Sequence, residues 1–148
     1  MENNINIIET TLSHLNRIDE IQKMYDHEIL SISSIEEDFK SNTYYYISAF
    51  LEDKLVGFAG LSILVDHADI LGIAVDKDYA RQNIASKMLS HIIEVCKRMD
   101  LDNIFLEVRS SNNAAISLYE KFGFKKISVR KNYYKDNNED ALIYIKEL

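Results

Sequence analysis

The stretch Ile104–Phe124 (IFLEVRSSNNAAISLYEKFGF) constrains the fold more than any other part of the chain. Ile104, Phe105, Leu106 and Val108 form a short run of β-favouring and large apolar residues, which reads as a strand. Ser110-Ser111-Asn112-Asn113 follows, and short polar side chains of this kind accept hydrogen bonds from the first free N–H groups of a helix. Ala115, Leu118, Tyr119 and Phe122 then recur at i, i+3, i+4 and i+7, the apolar stripe of a helix, and Gly123 stands where a left-handed residue ends one. A strand that leads through a polar turn into an amphipathic helix needs a sheet on one side and a second layer to pack against.

Polar residues inside this unit need a reason. Glu107 interrupts an apolar strand, where an unpaired carboxylate is costly. Arg109 lies two residues on and shares its face, so a structural ion pair is one reading. Tyr119 can be read as a core aromatic with its hydroxyl at the rim. Asn112 and Tyr119 are seven residues apart, two helical turns, which sets both on one side near the strand's carboxyl end.

The pattern Leu106-Glu107-Val108-Arg109, Ser111-Asn112, Ala115, Leu118-Tyr119, Gly123-Phe124 resembles the core of the GNAT acetyltransferases, in the form found in the ribosomal-protein-alanine N-acetyltransferase (RimI-type) subfamily. Arg130, Tyr133-Tyr134 and Glu139-Asp140-Ala141 are similar to the same subfamily's tail. The resemblance covers most of the chain from Ile70 onward. The Pro-Trp-Ser signature usual near the N-terminal helices is replaced here by Ser33-Ser34-Ile35.

Composition narrows the remaining possibilities. The 148 residues read as one domain, 1–148, long enough to bury a real core. No apolar run approaches membrane-spanning length and no charged-then-apolar leader opens the chain, so a soluble cytoplasmic protein without a membrane partner is expected. Cys96 is the single cysteine, which fits a reducing compartment and excludes an internal disulfide. His14, His27, His67 and His91 show no metal-ligand spacing, and no metal is expected. A net charge of −7 argues against a nucleic-acid partner and is compatible with a basic peptide.

In chain order, Asn6–Glu9 reads as a strand, and Thr10 or Thr11 as the cap of a helix carrying Leu15, Ile18, Ile21, Met24 and Tyr25. Ile35–Lys40 reads as a short second helix. Glu28, Glu36, Glu37 and Asp38 make this region acidic, either a solvated face or a wall facing a basic substrate. Tyr44–Phe50 and Leu55–Leu64 form a hairpin, and 66–69 a turn. Ile70–Val75 is apolar without alternation, as for a central strand buried on both faces. A long helix is expected over Asn83–Met99 with Ile84, Met88, Ile92, Val95 and Met99 inward, then strands Phe124–Tyr134 and Glu139–Lys146. The sum is an α+β domain, a mixed, mostly antiparallel central sheet with helices on both faces.

The segment from Val75 to Ser86 joins the buried strand to the long helix, and a loop feeding a helix N-terminus suits a pyrophosphate. The resemblance makes it the acetyl-CoA loop, usually Q/R-x-x-G-x-G/A; here Ala80, Asn83 and Ala85 stand at the defining places. Asn tolerates left-handed dihedrals best among the non-glycine residues, Ala85 is small, and Arg81 keeps a cation nearby. By resemblance the cofactor contacts are Ile73, Ala74, Val75, Arg81, Gln82, Asn83, Ile84, Ala85, Ser86 and Asn112. The resemblance further implies Glu107 as general base, Tyr119 as general acid to the CoA sulfur, a backbone N–H near Val75 as oxyanion donor, and Arg130, Tyr133 and Tyr134 along the peptide. A carboxylate in an apolar strand tends to a raised pKa, and a phenol near 10 is protonated at neutral pH.

The implied activity is acetyl-CoA-dependent acetylation of a protein N-terminus, alanine in a ribosomal protein with a basic N-terminal segment. Chemistry agrees with the α-amine: near a pKa of about 8 it is roughly one-tenth free base at pH 7, against below roughly one in a thousand for lysine. The alternatives are a relative acting on a lysine, polyamine or other small amine, or a non-catalytic acyl-CoA-binding module. Retention of both Glu107 and Tyr119 speaks against the latter.

Overall fold

The computed structural model describes residues 4–148. Seven strands form one sheet in the order β1-β2-β3-β4-β5-β7-β6: β1 Ile5–Glu9, β2 Tyr44–Leu51, β3 Lys54–Ile63, β4 His67–Val75, β5 Asn103–Arg109, β6 Lys125–Arg130 and β7 Ala141–Glu147. Only β4 and β5 run parallel; every other neighbouring pair is antiparallel. The helices are α1 Leu15–Gln22, α2 Ile32–Asp38, α3 Ile84–Arg98 and α4 Asn113–Lys121.

Alternation along the strands divides the core into two layers. Ile47, Ala49, Val56, Ala59, Ile104, Leu106 and Val108 pack with α3 and α4, where Met88, Leu89, Ile92 and Tyr119 meet them. Tyr46, Phe58 and Ala74 face the other way onto Leu15, Ile18 and Ile21 of α1 and Ile35 of α2. This second layer covers β2 to β4, and among the described residues no helix packs on the same face of β5 and β7.

The feature that makes a site lies in the middle of the sheet. In the β3–β4 ladder Gly60 opposes Gly72 while Leu61 opposes Ile70, so Leu71 is an extra residue, a β-bulge. The parallel β4–β5 ladder ends at the same point, with Ile70 opposite Leu106. A bulge bends its strand, and here it turns Leu71–Val75 away from Glu107–Arg109. Gly72 fits the bend because a Cβ there would meet Ile29 Cγ2 at 2.6 Å, so the segment between α1 and α2 lies directly on the backbone.

Several expectations are corrected. The second helix starts at Ile32, not Ile35, because Ser31 caps it by accepting from Ser34 N at 3.3 Å. The first helix is preceded by a 3-10 turn, Leu12–His14, and ends at Gln22, so Met24 and Tyr25 lie beyond it. β4 begins at His67, inside the expected turn, and is not buried on both faces: Leu71 is 41% exposed at the bulge. On α3 Met99 is 47% exposed, beyond the helix end, and Leu89, Ile93 and Cys96 complete the buried face. β6 ends at Arg130, so Tyr133 and Tyr134 belong to a loop rather than to a strand.

Candidate active site

Past Ile70 and Leu106 the facing edges of β4 and β5 no longer pair, and backbone groups on those edges need other partners. A hollow of about 280 Å³ occupies the opening. Tyr25, His27, Glu28 and Ile29 line it from the segment between α1 and α2, and Asn112, Ala115 and Tyr119 from α4 and its cap. These elements belong to opposite layers, so the hollow passes through the sheet. Leu71, Gly72, Ile73, Glu107, Val108 and Arg109 form its strand walls.

A larger groove of about 790 Å³ lies on the helix-free face, lined in part by Asp66, Asp69, Phe105, Arg130, Tyr133 and Ile143. Leu71, Glu107 and Tyr134 line both spaces and mark where they meet.

Glu107 is not enclosed as its apolar neighbours suggested. Its side chain is 34% exposed, because alternation along β5 points it to the helix-free face. It does not pair with Arg109; Arg130 Nη1 approaches Glu107 Oε1 at 3.5 Å instead. The enclosure expected from those neighbours is therefore absent.

Tyr119 is the opposite case. It is 7% exposed and packs against Phe124, ring centroids 5.6 Å apart, on the α4 side. Burial pushes its phenol up to about 12. No hydrogen bond to its hydroxyl is present among the described residues, and none of their buried polar side-chain atoms is left unsatisfied, so the hydroxyl opens toward the hollow. Asn112 caps α4, accepting from Ala115 N at 3.2 Å, which is why it sits at the carboxyl end of β5.

Arg130, Tyr133 and Tyr134 all line the larger groove. Arg130 lies over the Tyr133 ring at 5.5 Å, and the two tyrosine rings meet edge-on at 5.2 Å. Arg109, only 15% exposed, stacks on the Tyr134 ring at 3.9 Å and reaches Asp136 through both Nη atoms at 3.2 Å.

The proposed cofactor residues divide. Ile73 and Asn112 line the hollow, whereas Ala74 packs in the α1 layer and Ile84 in the α3 core, leaving their backbones as the groups on offer. The chain from Val75 to Ser86 continues past the hollow. It turns through left-handed conformation at Arg81 (φ 65°) and again at Asn83 (φ 61°), which stands at the N-terminal boundary of α3 without a side-chain capping bond. Such turns aim successive N–H groups outward at the positive end of a helix dipole, a fit for a pyrophosphate that uses backbone more than side chains. Asp76, 1% exposed, anchors the start of this loop through Arg17 of α1 and the amide of Asp78.

Tyr25 was missed, having been read as part of a core stripe. Because α1 stops short of it, its hydroxyl donates to the Val75 carbonyl at 2.6 Å, and Lys77 Nζ lies 4.6 Å from its ring centroid. His27 and Ile29 carried no local signal at all. Glu28 was legible only as part of an acidic region.

Comparison with known proteins bears on this geometry. The profile of the acetyltransferase (GNAT) family matches residues 11–124. The [ribosomal protein bS18]-alanine N-acetyltransferase of Escherichia coli (strain K12) is 39% identical over 113 residues, 73% of this chain and 76% of that protein. The crystal structure of the ribosomal-protein-S18-alanine N-acetyltransferase from Escherichia coli superposes with a TM-score of 0.88 at 30% identity, covering 97% of this chain and 93% of that one. Ard1 from Thermoplasma volcanium shares the fold with the same TM-score at 23% identity, over 97% of each chain.

Proposed function

Since the chain belongs to the acetyltransferase (GNAT) family, and is thereby an acyltransferase using acetyl-CoA, we propose that it acetylates the N-terminal α-amine of a ribosomal protein beginning with alanine. The observation that carries this reading is the meeting of Glu107 and Tyr119 in one hollow that passes through the sheet. A donor lying along the α3–α4 side and an acceptor from the helix-free face would meet there without crossing. Relatives of this chain named for that activity on bS18 supply the substrate class.

Bound acetyl-CoA supplies the acetyl group as an activated thioester. Ile73, the loop from Arg81 to Ser86 and Asn112 would hold it. Glu107, at the junction of hollow and groove, takes a proton from the incoming amine, directly or through water, so that the nitrogen lone pair is free to attack. The Tyr119 hydroxyl keeps its proton at neutral pH and gives it to the departing sulfur. An amide N–H near Val75 supports the carbonyl oxygen as charge develops on it. Tyr25 fixes that strand end by its bond to the Val75 carbonyl.

The acceptor lies in the larger groove against Arg130, Tyr133 and Tyr134. Asp66 and Asp69 line the same groove, which suits a basic segment following the terminal residue. A ribosomal substrate is consistent with a cytoplasmic enzyme. The test is the rate of free-thiol release with acetyl-CoA and a basic Ala-initiated peptide, for wild type and Glu107→Gln. A rate falling roughly 10²-fold or more in the variant supports the roles given. Equal rates would remove Glu107 from the chemistry.

A further inference from the structure

The loop between β6 and β7, residues 131–140, is not held by its own strands, which end at Arg130 and restart at Ala141. It is held by the end of β5. Both Nη atoms of Arg109 reach the Asp136 carboxylate at 3.2 Å, and Nη1 also reaches Glu139 Oε1 at 3.4 Å. The other Glu139 oxygen accepts from Ser111 N at 2.7 Å, and Ser110 N donates to the Asp140 carbonyl at 3.1 Å. Inside the loop Tyr134 N donates to the Glu139 carbonyl, and the Tyr134 carbonyl accepts from Asn138 N at 2.8 Å. The Tyr134 ring then lies under the guanidinium, 3.9 Å from it. One side chain thus ties the loop at two carboxylates and sets the plane of the aromatic that borders both the hollow and the groove.

We propose that Arg109 is a positioning residue for acceptor selection: by clamping Asp136 and Glu139 and stacking on Tyr134, it fixes the wall against which the peptide's first residues lie. This rests on the acceptor being a peptide in the groove. A guanidinium is needed rather than any cation, because the planar fork engages the carboxylate with two nitrogens while its face stacks on the ring. An ammonium can make one of these contacts and not the whole set.

The test uses Arg109→Lys, Tyr134→Ala and the double variant of the full chain, with two readouts. Hydrogen exchange read at the amides of Ser111, Tyr134 and Asn138 addresses the clamp without any substrate. Arg109→Lys is expected to lose protection there while its Tm stays near that of wild type; unchanged protection overturns the proposal. In steady-state kinetics Arg109→Lys is expected to raise peptide KM roughly 10- to 100-fold, leave the KM for acetyl-CoA unchanged, and add nothing further on the Tyr134→Ala background. Equal rises in both KM values, or effects that multiply in the double variant, overturn it as well. If wild type acetylates no peptide while the exchange result holds, the proposed acceptor has failed and the clamp has not.

Discussion

Glu107 and Tyr119 border one hollow from opposite faces of the sheet, and their surroundings are opposite in kind. Glu107 is one-third exposed with a guanidinium 3.5 Å away, whereas Tyr119 is almost wholly buried. Exposure leaves the carboxylate within reach of an amine; burial keeps the phenol neutral and able to donate. The two proton-transfer roles proposed for these residues would thus be separated by environment rather than by residue type alone.

The buried phenol gives a pH dependence with a definite sign. Burial raises its pKa to about 12, so Tyr119 remains protonated through neutral and mildly alkaline solution. The kcat of the wild type should show no fall from loss of this proton up to about pH 10, and Tyr119→Phe should lower kcat roughly 10²- to 10⁴-fold at every pH with KM values little changed. Steady-state rates from pH 7 to 10 check both. Full activity in Tyr119→Phe would move the acid elsewhere.

Asn83 holds the helix entrance at φ 61°, where an Ala costs roughly 1–2 kcal/mol and a Gly nothing steric. Asn83→Gly is expected to bind acetyl-CoA about as well as wild type in calorimetric titration. Asn83→Ala is expected to bind more weakly and to melt at lower temperature. Equal weakening in both variants would mean that the side-chain amide, not the backbone, matters at this position.

Hydrogen bonds from Ser111, chiefly, hold the Glu139 carboxylate down to about 2 against an ordinary value of 4.5. Because the folded value is the lower one, the stabilisation is complete above pH 4.5 and disappears as pH falls toward 2. Melting curves of wild type and Glu139→Gln should therefore differ at pH 7 and converge between pH 4.5 and 2. A difference that persists unchanged at pH 2 contradicts the anchoring given to Glu139.

What was legible in the sequence was local. The β5–α4 unit, the Asn112 cap and the Gly123 stop (φ 91°) rest on residues a few positions apart. The left-handed Asn83 followed from the tolerance of one residue type. The splay of β4 from β5 was not legible, because the bulge at Leu71 is a property of register between strands. For the same reason the burial of Glu107 was misjudged: apolar neighbours imply a core strand, but only the layout of helices shows which face of β5 is left open. The Tyr25 bond to Val75 spans fifty positions of chain and leaves no periodic trace. The contacts of Arg109 with Tyr134, Asp136 and Glu139 span 25 or more positions, whereas its nearest apparent partner in sequence was Glu107.

The central claim, acetyl transfer to a chain N-terminus, is tested most directly by locating the acetyl group. The protein would be incubated with acetyl-CoA and a basic peptide beginning with Ala, beside the same peptide with a blocked N-terminus and free lysines, and the products sequenced by tandem mass spectrometry. The account predicts one acetyl group, on the first residue of the free peptide, and none on the blocked one. Acetyl groups on lysines of both peptides would contradict it.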